Sequence, residues 1–254
     1  MIKLIQITDP HLVEPGETLH GLDPLARLGA CLEHVTANHA DAALVVLSGD
    51  LTDDGSPAAY AALRERLSVL GLPWRLMVGN HDKRDVLFAA FPEAAGERGF
   101  AHAALDTREG RVILLDTLEP HRVSGRLCEA RLAWLERQLE TARGRPVFLF
   151  MHHPPFRVHL PALDRVRLTD ADPLLEVLRR HGGVRHIFTG HVHRPISGTW
   201  HGIGFSTLFG TCHQSGAIFH ENRFATSFEA PAYGVIFIDD ASVVVHAVGF
   251  LPPT

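Results

Sequence analysis

Five short blocks of this 254-residue chain carry side chains that can hold a metal ion. They are Asp9-Pro10-His11, Gly49-Asp50, Gly79-Asn80-His81-Asp82, His152-His153 and Gly190-His191-Val192-His193. Carboxylate, amide oxygen and imidazole nitrogen suit zinc, manganese, iron or cobalt, and no cysteine joins them, which excludes a soft thiolate site. Each block alone is a weak signal, since Asp-x-His and Gly-Asp recur by chance and a single histidine is often a satisfied core residue. Taken together, Asp9, His11, Asp50, Asn80, His152, His191 and His193 are too many ligands for one catalytic ion and about right for two. A shared carboxylate would hold two such ions roughly 3.5–4 Å apart. The chain also has 18 histidines against 3 methionines and 2 tyrosines. Histidine is the commonest metal ligand and titrates near neutral pH.

What must position these blocks is a set of six short apolar runs, five of which end where a block begins. The runs are Ile2–Ile7, Ala43–Leu47, Trp74–Val78, Val112–Leu115, Val147–Phe150 and Val184–Phe188, and they read as strands buried on both faces. Helices lie between them. Asp23-Pro24, Ser56-Pro57 and Asp172-Pro173 each offer a capping side chain followed by a proline whose missing N–H costs nothing. Gly182-Gly183 ends the third helix, and Leu132–Leu139 reads as a fourth. Alternating strands and helices predict an α/β fold with a largely parallel sheet, and in such sheets the binding crevice lies at the carboxyl ends of the strands. Five strand exits therefore converge. The glycines before Asp50, Asn80 and His191 are expected to turn the backbone sharply there. Beyond Gly190 the β-like runs Gly204–Leu208, Gly216–Phe219, Tyr233–Ile238 and Val243–Val248 are expected to form a second sheet packed on the first. The outcome would be a four-layer α/β/β/α sandwich, read as one domain over residues 1–254 because no linker or repeat interrupts it.

Bulk properties narrow the classes. A net charge of −5 and 21% charged residues leave no basic footprint for a nucleic acid polymer or an anionic membrane. Three scattered cysteines make neither a zinc ribbon nor a disulfide framework and suit a reducing compartment. The first residues alternate like a strand and lack the pattern of a signal peptide, and no apolar run approaches membrane-spanning length. A soluble, cytoplasmic protein is expected.

The ordered blocks resemble the signature D-x-H, G-D, G-N-H-[DE], H, G-H-x-H of the calcineurin-like metallophosphoesterase family, spread here over residues 9 to 193. Met151-His152-His153-Pro154-Pro155 and Gly210-Thr211-Cys212-His213-Gln214 are similar to segments of the bacterial class III cyclic nucleotide phosphodiesterases and the related glycerophosphodiesterase. The resemblance implies that Asp9, His11, Asp50 and His193 hold one ion, while a bridging Asp50, Asn80, His152 and His191 hold the other. It implies catalytic roles for His81, oriented by Asp82, and for His213 at the substrate phosphate, with His153 supporting the ligands from behind. The implied reaction is in-line hydrolysis of a small phosphodiester, 3′,5′-cyclic nucleotides first and glycerophosphodiesters second. A phosphomonoesterase, or a silent metal-binding scaffold, are the further readings; a scaffold would show gaps in the ligand set. Loops 117–126 and 154–170 are candidates to shape the pocket. Lys83-Arg84 and Arg194 lie beside metal blocks, where surface solvation is the simpler reading and phosphate contact the alternative. By analogy with the family a homo-oligomer is expected, with its contact at Phe219–Pro231 and the last strands.

Overall fold

The computed structural model describes residues 1–251. Two sheets stack face to face with helices on both outer sides. The first sheet runs in the order β13-β12-β1-β2-β3: β1 (Ile2–Ile7), β2 (Leu44–Ser48) and β3 (Trp74–Met77) are parallel. In the same sheet β12 (Ala232–Ile238) pairs antiparallel with β1 and β13 (Val243–Gly249). The second sheet runs β4-β5-β6-β7-β9-β8: β5 (Gly110–Leu115), β6 (Val147–Met151), β7 (Val184–Thr189) and β9 (Ile203–Thr207) are parallel. Its antiparallel edges are β4 (Ala103–Thr107) and β8 (Ser197–Trp200). A two-stranded ribbon, β10 (Gln214–Ser215) with β11 (Thr226–Ser227), stands apart.

The four layers follow from alternation of side chains along buried strands. In β2, Leu44 and Val46 face the second sheet, whereas Val45 and Leu47 face helices. In β6, Phe148 and Phe150 fill the space between sheets and Val147, Leu149 and Met151 face the opposite helices. Helices α1 (Pro24–Asn38) and α2 (Pro57–Ser68) cover the first sheet with Leu28, Cys31, Val35, Tyr60 and Leu63. Helices α4 (Glu129–Thr141) and α6 (Asp172–His181) cover the second with Trp134, Leu135, Leu174 and Leu178. Two short helices, α3 (Arg84–Ala90) and α5 (Pro161–Asp164), lie in the connections.

The expected sandwich is present, but its sheets are divided differently from the sequence reading. The parallel strands of the amino-terminal part are split between both sheets, three in each group. The late strands do not make a separate sheet: β9 extends the second sheet and β12 and β13 extend the first. The crossovers through α1, α2, α4 and α6 return to the sheet they left, while the one through α3 passes from β3 to β4 in the other sheet, a difference that hydropathy alone could not show. Residues 216–219 form no strand. The predicted caps hold for Asp23 and Ser56, which accept from the Ala26 and Ala58 amides at 2.9 and 3.2 Å. At α6 the helix starts on Asp172 itself after Ala171, with no side-chain cap. Gly182 ends α6 in the left-handed region at φ 71°. Among the described residues no helix is long and apolar enough to cross a membrane.

Candidate metal centre

The exits of β1, β2 and β3 in one sheet and of β6 and β7 in the other meet at one end of the sandwich. Gln6 stitches the sheets beneath that point, donating from Nε2 to Ser48 Oγ at 3.0 Å and to the Thr189 carbonyl at 3.1 Å. Backbone bonds then register the loops: the Asp9 and His11 amides donate to the Gly49 and Asp50 carbonyls, and the Gly190 amide to the His152 carbonyl.

The sharp turns are made chiefly by the candidate ligands, and less by the glycines before them. Asp9, His11, Asp50, His191 and His193 all have positive φ, between 45° and 68°. Aspartate and histidine tolerate this region better than most residues, and such strain persists where surrounding structure enforces it. Of the three glycines, Gly49 does turn at φ +100°, but Gly79 and Gly190 serve close approach. A Cβ would lie 2.1 Å from Asp50 Oδ1 at Gly79 and 2.2 Å from Thr8 Oγ1 at Gly190.

Asp9, His11, Asp50 and His193 each offer a donor atom within one 4.8 Å group. The Nε2 atoms of His11 and His193 face each other at 3.2 Å, and His193 Nε2 is 3.3 Å from Asp9 Oδ1. Both rings are oriented from behind. His11 Nδ1 donates to Asp53 Oδ1 at 3.0 Å and His193 Nδ1 to the His213 carbonyl at 2.8 Å, which leaves the Nε2 lone pairs pointing forward. On the other side of Asp50, His152 Nδ1 donates to the Ser48 carbonyl at 2.9 Å and its Nε2 stands 3.3 Å from Asp50 Oδ2. Asn80 Oδ1, His152 Nε2 and His191 Nε2 are buried and make no hydrogen bond. A buried polar atom left without a hydrogen bond costs about 1–3 kcal/mol. Three of them beside a buried carboxylate fit a cation better than anything the chain itself provides. The donor set therefore suits a metal ion on each side of Asp50, with nitrogen and oxygen ligands only.

Electrostatics agree. Burial raises the Asp50 carboxyl, but His152, then His11 and His81, outweigh it and hold it well below the usual range. For His152, burial opposes the charge, yet Asp50 and Asp9 lift it to about 9. Buried carboxylates thus draw a proton onto His152 when no other positive charge is near. His191 is driven down to about 3 by burial and by His152, and so stays neutral, the form that binds metals.

The remaining candidates separate clearly. His153 joins His152 and His191 within one 4.8 Å group, but both of its ring nitrogens are used. Nε2 donates to the Val123 carbonyl at 3.1 Å and Nδ1 accepts from Thr117 Oγ1 at 2.7 Å. With no free lone pair it braces the 117–126 loop from behind. His81 lies at the mouth, its Nδ1 donating to the Asp53 carbonyl at 2.6 Å and its ring 4.6 Å from that of His11. Asp82, expected to orient His81, does not touch it. It accepts instead from the Gly79, Leu51 and Thr52 amides at 2.8, 3.1 and 3.2 Å and from Tyr60 Oη at 2.7 Å. Buried behind the loops, it fixes the backbone that presents Asp50 and Asn80, while Asp53 orients His81. His213 sits beside the His11 half, its ring 4.7 Å from that of His193 and 4.8 Å from that of His20.

A hollow of ≈ 190 Å³ opens over these groups. The 117–126 and 154–170 loops each give it one residue, Val123 and Leu163, and not the polar side chains that the sequence draws attention to. Arg84 and Arg194 are no phosphate contacts and no freely solvated charges either. Arg84 is clamped on Asp116 by two bonds of 2.7 Å, and Arg194 on Glu229 at 2.6 and 3.1 Å. Asp53, Thr117, His20 and Phe224 escaped sequence reasoning. Asp53, three residues past Asp50, had a spacing signal; the other three had none.

Comparison with known proteins gives the same picture. The family model for calcineurin-like phosphoesterases matches residues 2–195. A probable cyclic nucleotide phosphodiesterase of Rhodopseudomonas palustris is 38% identical, covering 98% of this chain and 93% of its own. A probable glycerophosphodiester phosphodiesterase of Arcobacter nitrofigilis is 30% identical over 83% of this chain and 79% of its own. In fold, the chain is similar to a dimetal phosphatase from Danio rerio, with a TM-score of 0.74 at 17% identity, covering 98% of this chain and 96% of that one. Strand-exit blocks, orphaned donor atoms and family match agree: the chain belongs to the calcineurin-like phosphoesterase family.

Proposed function

We propose that the chain is a dinuclear metal-dependent phosphodiesterase acting on small phosphodiesters, with 3′,5′-cyclic nucleotides the leading substrate class. The observation that carries the reading is the pair of donor sets meeting at Asp50: Asp9, His11 and His193 on one side, Asn80, His152 and His191 on the other. Asp50 would be shared between ions of iron, manganese, zinc or cobalt. When bound, the metals would supply Lewis acidity at phosphorus and a water acidic enough to react near neutral pH.

The chain's own residues do the remainder. Asp53, Ser48 and the His213 carbonyl fix the tautomers of His11, His152 and His193 so that Nε2 faces inward. His81 holds its Nδ1 proton on the Asp53 carbonyl, which leaves Nε2 to carry a proton to the departing alkoxide. His213 lines the same hollow and would steady a phosphoryl oxygen. The cyclic nucleotide preference rests on the name of the Rhodopseudomonas relative, and the second reading, a glycerophosphodiesterase, on that of the Arcobacter relative. A homo-oligomer remains part of the proposal, to be read by sedimentation.

The test is a turnover panel with each metal over cAMP, 2′,3′-cyclic nucleotides, glycerophosphodiesters, bis(p-nitrophenyl) phosphate and monoesters, with metal analysis of the same sample. Diester turnover that needs two equivalents of metal supports the reading. A metal-poor and inactive protein would point to a scaffold, and a preference for monoesters to a phosphatase.

A further inference from the structure

The hollow over the candidate metal centre has a polar floor and an apolar rim. His11, Asp50, Asn80, His81, His191 and His193 make the floor, and Val123, Leu163 and Phe224 stand among the walls. Phe224 is 63% exposed and Val123 51%. Large apolar side chains left open beside a charged site are a mark of ligand contact, since pockets of this kind combine a few polar anchors with aromatic surface.

Phe224 differs from the other exposed phenylalanines of its segment in how it is held. The ribbon of β10 and β11 pairs Ser215 with Thr226, and the Gly216 amide donates to the Ala225 carbonyl at 2.7 Å. Phe224 therefore projects from the tied base of the loop, next to Ala225. Phe219 lies farther out, and Phe228 lies beyond β11; neither lines the hollow. The base is in turn registered on the metal segment. Arg194, next to His193, donates to the Ser215 carbonyl at 2.5 Å and to Glu229 Oε2 at 2.6 Å, and His193 Nδ1 donates to the His213 carbonyl. The backbone that carries this aromatic side chain is thus registered on the floor that would take a phosphate.

Resting on the phosphodiesterase reading, we propose that Phe224 is a specificity-determining residue: a stacking platform for a planar aromatic group, a nucleobase, attached to the phosphodiester. His20, Asp53, His213 and Ser215 also line the hollow; the platform itself reads the flat face that every base shares, so stacking on it selects for a base without selecting among bases. Stacking of a base on an aromatic side chain is sequence-tolerant for the same reason and changes affinity by roughly tenfold or more.

The test compares ligands that share a phosphate and differ in the base. Metal-loaded wild type and the Phe224→Ala, Phe224→Trp and Phe228→Ala variants are titrated calorimetrically with AMP and with ribose 5-phosphate. Expected is a preference for AMP of about tenfold in wild type, lost in Phe224→Ala and kept in Phe224→Trp and Phe228→Ala. Equal affinity of wild type for the two ligands, or an undiminished preference in Phe224→Ala, overturns the proposal. Turnover of cAMP, glycerophosphodiesters and bis(p-nitrophenyl) phosphate by the same wild-type and Phe224→Ala samples reads the parent assignment separately. Absence of turnover on every one of these diesters in wild type would count against phosphodiesterase activity, while the AMP titration still decides the role of Phe224.

Discussion

At the amino end of β6 and β7 lies a cavity of ≈ 640 Å³, far larger than the ≈ 190 Å³ hollow at their carboxyl end. Both ends are crowded with ionisable groups. At the amino end three of the arginines have been given partners: Arg145 donates to Asp106 at 2.6 Å, Arg180 pairs with Glu136 at 3.0 Å, and Arg185 donates to the Asp239 carbonyl at 2.8 Å. Arg179, Arg180 and His181 close the last turn of α6, where positive charge offsets the helix dipole. At the carboxyl end, the nitrogens of His152 and His191 and the oxygen of Asn80 have been left bare. Among the described residues, every group of three or more metal-type side chains gathered within 4.8 Å lies there. The larger cavity has one unpaired ring nitrogen, His181 Nε2, whereas the smaller hollow gathers its unpaired atoms around a buried carboxylate, and it is that clustering that marks the candidate site.

Strand β7 holds the same contrast within a few residues. His186 is half-buried, bonded by Nε2 to Ser206 Oγ at 3.0 Å and packed on Phe188. It is a satisfied structural histidine. His191, just past the strand end, has a bare Nε2.

Substitutions should separate the two ends by orders of magnitude. Asp50→Asn is expected to remove bound metal from both sides and take diester turnover to background, read by metal analysis and a diester assay. A variant that kept two equivalents would break the shared-carboxylate assignment. His81→Ala should keep its metal and lose roughly 10²–10⁴ in kcat on an alkyl leaving group, with a smaller loss on p-nitrophenolate. Full kcat on the alkyl diester would remove His81 from the proton transfer. Asp53→Asn, which weakens the acceptor behind His11, should cost about 10–100-fold in metal affinity.

The amino-end half of the comparison predicts small effects. Burial lowers His186 to about 4, so the unfolded chain binds the extra proton between that value and 6.5. Its contribution to stability is present above pH 6.5 and is lost as pH falls towards 4. A His186→Leu variant should therefore show a flatter acid limb of Tm against pH than wild type; parallel curves would exclude the residue as a source of that slope. Arg180→Ala breaks an exposed ion pair and should change stability by less than about 1 kcal/mol, with metal content and turnover unaffected.

Much of the fold and the site is legible in the chain alone. The five blocks can be read because strands buried on both faces are short and apolar, and a polar cluster at the exit of each one stands out. All seven candidate ligands come together as the sequence suggests. The division of strands between sheets could not be read, because Leu44, Val46, Phe148 and Phe150 are as apolar as the residues that face helices. The role of Asp82 is misplaced for a related reason. Adjacency to His81 suggests contact, while folding sends its carboxylate back onto the Gly79, Leu51 and Thr52 amides. Phe224 and His20 reach the site through the ribbon and the loop before α1, contacts that no local pattern encodes.

The most direct test of the central claim is anomalous diffraction from crystals of the manganese-loaded protein. Two peaks are expected roughly 3.5–4 Å apart on either side of the Asp50 carboxylate, one among Asp9, His11 and His193 and the other among Asn80, His152 and His191. A single peak, or two peaks that do not share Asp50, would contradict it.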